Sequence, residues 1–252
     1  MSALDDFLAA PSIDDIKRAL FIQPHPDDNQ IGAGGLIAKL VEKGAEVYEL
    51  TVCDDRFVDI GYSGEGLTTR QKETLEAQKC LGMKNAGFLG FQDKTRACVE
   101  EISEAIVSVI RDIKPDAVFS VDSSVSNECH SDHIKVGQAV KYACMDAECN
   151  FYPELIDGKL RDDAYLVPML GFYYTDKPNT IIDITKYYDK KTEAIGCHES
   201  QVSMPLMFAI GALAGKWGEQ KGYEYAEAFK IIGSIHMHCY PFEVLGNIYR
   251  KV

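Results

Sequence analysis

Short apolar runs, each ended by a polar turn, alternate with longer stretches of helical periodicity through the first 150 residues. The run Ala19-Leu20-Phe21-Ile22 reads as a buried strand. A helix is expected over residues 33–43, with Leu36, Ile37, Leu40 and Val41 on its apolar face and Gly44 closing it. A strand over 46–52 then completes a βαβ unit whose crossover should be right-handed. The alternation continues with a helix over 69–81 ended by Gly82, a strand over 86–89, and a helix over 98–114 stopped by Pro115. A strand over 117–121 and a helix over 134–143 follow. This order of elements predicts an α/β fold with a mostly parallel sheet.

Past residue 150 the pattern loosens. Residues 151–163 read as loop, 166–175 and 180–183 as strands about a Pro178-Asn179 turn, and 187–202 as a helix. Residues 204–217 are apolar and small, suited to a helix that packs on another subunit. Strands are expected over 228–232 and near 235–240, and a short acidic helix with a linker around Pro11 within residues 1–18. The expectation is one domain over 1–252, with a core at 19–150 and a smaller, β-containing C-terminal extension at 151–252.

Two strand ends carry the chemistry. The first strand runs into Pro24-His25-Pro26-Asp27-Asp28, with Gly32, Gly34 and Gly35 close behind; the strand at 117–121 leads to His130-Ser131-Asp132-His133. Open α/β sheets bind ligands at the carboxyl ends of their strands. Imidazole and carboxylate are metal-ligand types that suit a borderline cation such as Zn²⁺. A catalytic zinc takes three protein ligands and keeps one position open. His25 and Asp28 are candidates for two, the second cluster supplies a third, and Asp27 stays free as a base. His130 and His133, three apart, share one helical face. Each residue also has a plainer reading: a hydrogen-bonded core histidine, a helix N-cap for Asp27, a first-turn helix charge for Asp132, a salt bridge from Arg70 to Glu73, a turn residue for Asp93.

HPDD followed by GxGG, with a later HxDH, resembles the LmbE-like (PIG-L-like) family of metal-dependent N-deacetylases. Arg70…Glu73…Ala77…Leu81-Gly82, Leu89-Gly90-Phe91-Gln92-Asp93, Lys191…Ala194…His198-Glu199-Ser200-Gln201 and Tyr225-Ala226-Glu227-Ala228-Phe229 are similar to further family segments. Residues 173–179 and 238–242 look most like the diacetylchitobiose deacetylase branch. The resemblance implies a Rossmann-like three-layer sandwich and a Zn²⁺-activated water, with Fe²⁺ able to replace Zn²⁺. It implies His25, Asp28 and His133 as metal ligands and Asp27 as general base. His130 would stand beside the developing oxyanion as a cation or hydrogen-bond donor, and Asp132 would orient a histidine. Arg70, Asp93 and His238 would bind substrate, His238 in its own pocket or a neighbouring subunit's. The implied substrate is a small saccharide, N-acetylglucosamine (GlcNAc) or diacetylchitobiose, and the implied assembly a trimer or hexamer. The alternatives are a GlcNAc-conjugated thiol precursor, another small N-acyl compound, or a non-catalytic sugar-binding relative. Asn29 is a departure, because many relatives carry Glu there and others carry it where this chain has Gln30.

Composition narrows the partners. A net charge of −13, from 39 acidic and 26 basic residues, argues against nucleic acid and anionic membrane. No apolar run is long enough to span a bilayer. The first fifteen residues carry acids and lack a basic stretch before an apolar one, so no signal peptide is expected. The 8 cysteines are scattered without a CxxC pair, which predicts reduced, mostly buried thiols in a cytoplasmic protein. A nucleotide-binding reading is weak, since GAGG lacks the GxGxxG spacing.

Overall fold

Strand β1 (Arg18–Gln23) lies inside the sheet because it is apolar on both faces. Ala19 and Phe21 enter one core, Leu20 and Ile22 the other, and all four are fully buried. The computed structural model describes residues 12–56, 59, 62–155 and 157–238. β1 pairs in parallel with β2 (Glu46–Asp54) and β4 (Ala117–Val121). With β3 (Lys84–Gln92), β5 (Met169–Tyr173), β6 (Thr180–Asp183) and β7 (Ala226–Gly233), the strand order is β3-β2-β1-β4-β5-β7-β6. β7 alone runs antiparallel to its neighbours, so the sheet is mixed but mostly parallel.

The helices are α1 (Asp28–Glu42), α2 (Thr69–Leu81), α3 (Val99–Ile113), α4 (Ser131–Asp146), α5 (Tyr188–Gly196) and α6 (Met204–Glu219). One core packs Phe21, Phe119, Tyr173 and Phe229 of the sheet against Leu36, Ile37 and Leu40 of α1, Leu81 of α2 and Ala194 of α5. The other packs Leu20, Ile22 and Val118 against Ile102 and Ile106 of α3 and Val136 and Val140 of α4. The result is three layers. β1 and β4 are neighbours, yet α1 and α4 leave them toward opposite faces. That opens a crevice at their carboxyl ends, the switch point of such sheets.

Helix α2 and strands β4 and β6 match their expected spans; other boundaries move for physical reasons. α1 starts at Asp28 rather than near residue 33, and α4 at Ser131 rather than 134. The glycines of α1 therefore lie inside a helix. They let it approach its neighbours: a Cβ on Gly32 would stand 2.2 Å from the Tyr173 ring, and one on Gly35 2.6 Å from Ile184. The helix expected over 187–202 stops at Gly196, because Glu73 of α2 accepts both the N–H and the hydroxyl of Ser200 and holds the following turn. Ser234–His236 form a 3₁₀ turn where the last strand was expected, with residues 239–240 outside the described chain. Ile13–Asp15 form a 3₁₀ turn; most of the expected N-terminal helix also lies outside it. The seven described cysteines are free, but only Cys53 and Cys144 are buried, while Cys98 and Cys129 are exposed; the expectation of mostly buried thiols does not hold. No described helix is long and apolar enough to cross a membrane.

Candidate active site

The turn after β1 is fixed from below. Gln23 accepts the Asn29 N–H at 3.0 Å and donates to Thr51 at 2.9 Å. Asn29 and Gln30 both donate to the buried Glu49 carboxylate of β2, at 3.0 and 2.8 Å, and the Tyr173 hydroxyl donates to Asn29 at 2.8 Å. This buried network orients the first turn of α1 and presents Asp27 and Asp28 to the crevice. Asp27 has φ 109°, a left-handed conformation that a non-glycine residue adopts only where its surroundings impose it. It occupies the N-cap position, yet its side chain makes no capping bond. Its partner is Arg70, whose Nη2 lies 3.5 Å away and also donates to the Pro26 carbonyl at 2.7 Å. The plainer readings of both residues fail: Asp27 does not cap, and Glu73 binds Ser200 instead of Arg70.

Asp28 stands between the two clusters. One of its oxygens lies 3.5 Å from His25 Nδ1, the other 3.4 Å from His133 Nε2. The two contacts use different oxygens, so the Asp28 carboxylate bridges the two strand ends. The outer nitrogens are held as well. Asp132 and Asp93 approach His25 Nε2 at 3.1 and 3.3 Å, and Glu128 approaches His133 Nδ1 at 3.0 Å. Asp132 is buried and also accepts the N–H groups of Lys94 and Thr95. His130 caps α4, its Nδ1 accepting the Asp132 N–H at 3.3 Å. Two overlapping groups also bring one donor atom per residue within 4.8 Å of each other: His25, His130 and His133; and His25, Asp93, His130 and Asp132. The cluster can hold a metal ion.

The electrostatics fit that use. Burial pushes the Asp27 carboxyl up, and the charge of Asp28 adds to it, to about 7 against the opposing pull of Arg70. Burial also acts on Asp28, but hydrogen bonds from His133 and His25 outweigh it and hold the group well below the carboxylate range. Burial favours a neutral His25; hydrogen bonds to Asp132 and Asp28 overcome it and raise the ring to about 10. His130 is lowered, by burial and then by the positive rings of His25 and His133. The carboxylates thus draw protons onto His25, as they would draw a cation into the same space.

A family model described as PIG-L, GlcNAc-PI de-N-acetylase, matches residues 20–144, which span both clusters. The diacetylchitobiose deacetylase of Thermococcus kodakarensis is 33% identical, over 94% of this chain and 91% of its own. The chain belongs to the PIG-L family. A solved N,N'-diacetylchitobiose deacetylase from Pyrococcus horikoshii, bound to its inhibitor, superposes with a TM-score of 0.82 at 30% identity, over 96% of this chain and 94% of that one. A probable N-acetyl-alpha-D-glucosaminyl L-malate deacetylase of Bacillus cereus is 26% identical over 75% of this chain and 86% of its own.

Eight of the nine residues singled out in this PIG-L chain converge on the crevice: His25, Asp27, Asp28, Arg70, Asp93, His130, Asp132 and His133. His238 does not join them; it lines a cavity with Met145 and Glu148 at the far end of α4. In the glycine-rich stretch 56–68, residues 57, 58, 60 and 61 lie outside the described residues. Three neighbours of the site escaped the sequence reading. Glu128 holds His133, Tyr174 stacks on His133 with ring centroids 6.3 Å apart, and Glu49 anchors the turn. The legible signal was an acid inside the apolar run of β2, since a charge buried on a central strand needs a purpose.

Proposed function

We propose that this chain is a metal-dependent N-deacetylase that removes the acetyl group of a GlcNAc unit as acetate. The observation that carries the reading is Asp28 standing 3.5 and 3.4 Å from histidines of two different strand ends, with an uncapped Asp27 beside it. The relatives named as GlcNAc-type deacetylases support it. His25, Asp28 and His133 would hold the ion. Asp132 is left to orient His25, because its oxygens already accept two backbone N–H groups. The mixed nitrogen and oxygen donors suit Zn²⁺, and Fe²⁺ also fits them. When bound, the ion supplies Lewis acidity at the acetyl carbonyl and lowers the pKa of a water.

The remaining steps belong to the side chains. Asp27 takes the proton of the attacking water and returns it to the leaving amine; a carboxyl raised to about 7 is suited to both transfers. His130, held neutral with its Nδ1 accepting a backbone N–H, keeps its proton on Nε2 and donates to the developing oxyanion. Arg70 fixes the Asp27 turn and, with Asp93, faces the sugar hydroxyls. A non-catalytic sugar binder has no use for an uncapped, strained Asp27. The exposed Met204 and Phe208 of α6 support a homo-oligomer, and free thiols support a cytoplasmic setting.

The test is metal content and acetate release. Protein stripped with a chelator and reloaded with Zn²⁺ or Fe²⁺ is expected to release acetate from GlcNAc or diacetylchitobiose. Asp28→Ala should lose the ion while His130→Ala keeps it. Failure of both reloaded forms to release acetate from any GlcNAc compound would sink the reading.

A further inference from the structure

Helix α2 turns one face toward the turn that follows α5. Arg70 stands in its first turn and Glu73 three residues on, so the two share that face. Glu73 accepts the Ser200 N–H at 2.8 Å and the Ser200 hydroxyl at 2.7 Å. Two residues before Ser200, His198 is pinned through its backbone. Its N–H donates to the Ile195 carbonyl at 3.0 Å, and its own carbonyl accepts the N–H groups of Gln201 and Val202 at 2.9 and 3.0 Å. The ring is fully buried, and among the described residues neither of its nitrogens has a hydrogen-bond partner. Burial first, and then the charge of Arg70, keep it neutral.

Arg70 is held at one end only. Its Nη2 donates to the Pro26 carbonyl at 2.7 Å and reaches Asp27 at 3.5 Å, while its buried Nε has no partner among the described residues. A guanidinium is a rigid planar fork. One bonded nitrogen fixes where it sits; a second is needed to fix its plane. A guanidinium can only donate, and a neutral imidazole keeps one nitrogen free to accept, so the two orphaned groups are complementary. Packing alone would be better served by Leu or Phe, which leave no buried polar atom unpaired. Resting on the deacetylase reading above, we propose that His198 is a positioning residue. Its neutral ring is the acceptor for the Nε side of Arg70, and it sets the plane in which that fork meets Asp27 and the substrate. A single buried water carries the bond where the two nitrogens do not touch.

His198→Phe keeps the bulk of the ring and removes the acceptor. With metal content unchanged, kcat/KM for acetate release should fall about 10–100-fold. Whichever of His198→Asn and His198→Gln places its amide oxygen at the accepting nitrogen should recover most of that loss. Arg70→Lys keeps the charge but lacks the Nε–H, so adding His198→Phe to it should cost nothing further. Parental kcat/KM in His198→Phe, no recovery by either amide, or losses that add in full as they do for independent sites would each overturn the proposal. One readout needs no activity. In protein carrying isotope-labelled histidine, Arg70→Lys should move the magnetic resonance signals of the His198 ring nitrogens, because the charge is kept and the hydrogen bond is not; unmoved signals overturn the proposal. If the parent protein releases no acetate from any GlcNAc compound, the deacetylase reading fails, while these signals still decide whether His198 supports Arg70.

Discussion

Near the middle of α1, Lys191 meets Glu227 at 2.7 Å; at its N-terminus, Asp28 faces two histidines at 3.5 and 3.4 Å. Both groups are buried. In the first, the charges cancel, and the two Glu227 oxygens also accept the N–H groups of Gly35 and Leu36 at 2.9 and 2.8 Å. That cluster is complete, and nothing could be added to it. In the second, Asp28, Asp93 and Asp132 surround one imidazole, His25, so negative charge is left over for a cation. Burial of charge is therefore no mark of function by itself. What separates a strut from a site is whether the charges already balance.

The contrast can be broken at several points. Lys191→Met should destabilise the protein most, by about 3–5 kcal/mol, because it leaves Glu227 buried and uncompensated; denaturant unfolding measures it, and a loss under about 1 kcal/mol would contradict the strut. His198 supplies a buried ring with no charge partner. Its nitrogens have no hydrogen-bond partner, and burial, then Arg70, lowers it from 6.5 to about 4. The folded state thus binds this proton less readily than the unfolded state. The contribution of His198 to stability is full above pH 6.5 and falls by up to about 3 kcal/mol as the pH drops to 4. His198→Phe should remove that slope from unfolding curves taken across the window.

Smaller changes sharpen the same comparison. Glu128→Gln weakens the support of His133 and of the His130 N–H, so metal affinity or activity should fall about 10–100-fold, read by titration with a competing chelator. Lys190 pairs with Glu193 at 2.8 Å on the surface, and Lys190→Ala should cost less than about 1 kcal/mol. A larger cost would mean that the distinction between buried and exposed pairs is misdrawn.

The sequence is most legible where one force acts alone. The strand β1 and the helix α2 follow from apolar runs and end signals such as Gly82. The two helix starts were misread at the site itself. Asp28 and His133 occupy first-turn positions of α1 and α4, so ligands stand where a periodic apolar pattern would have announced the helix. The glycines of α1 misled for a related reason: they serve close packing on Tyr173 and Ile184, which only the fold reveals. Arg70 and Asp93 lie outside both sequence clusters and were read from the resemblance alone; six site residues were legible because each cluster is compact in sequence. Glu49 and Tyr174 were not, because each meets the site through contacts made across the fold. His238 was read from a terminal segment whose position no local pattern fixes.

Catalysis by this chain requires a cation held by His25, Asp28 and His133 with Asp27 acting on water beside it. Asp27→Asn, measured side by side for bound metal and for acetate released from GlcNAc or diacetylchitobiose, tests this most directly. The expected result is metal content equal to the parent protein and acetate release lower by about 10²–10⁴-fold. Acetate release at the parental rate with the ion retained would contradict it.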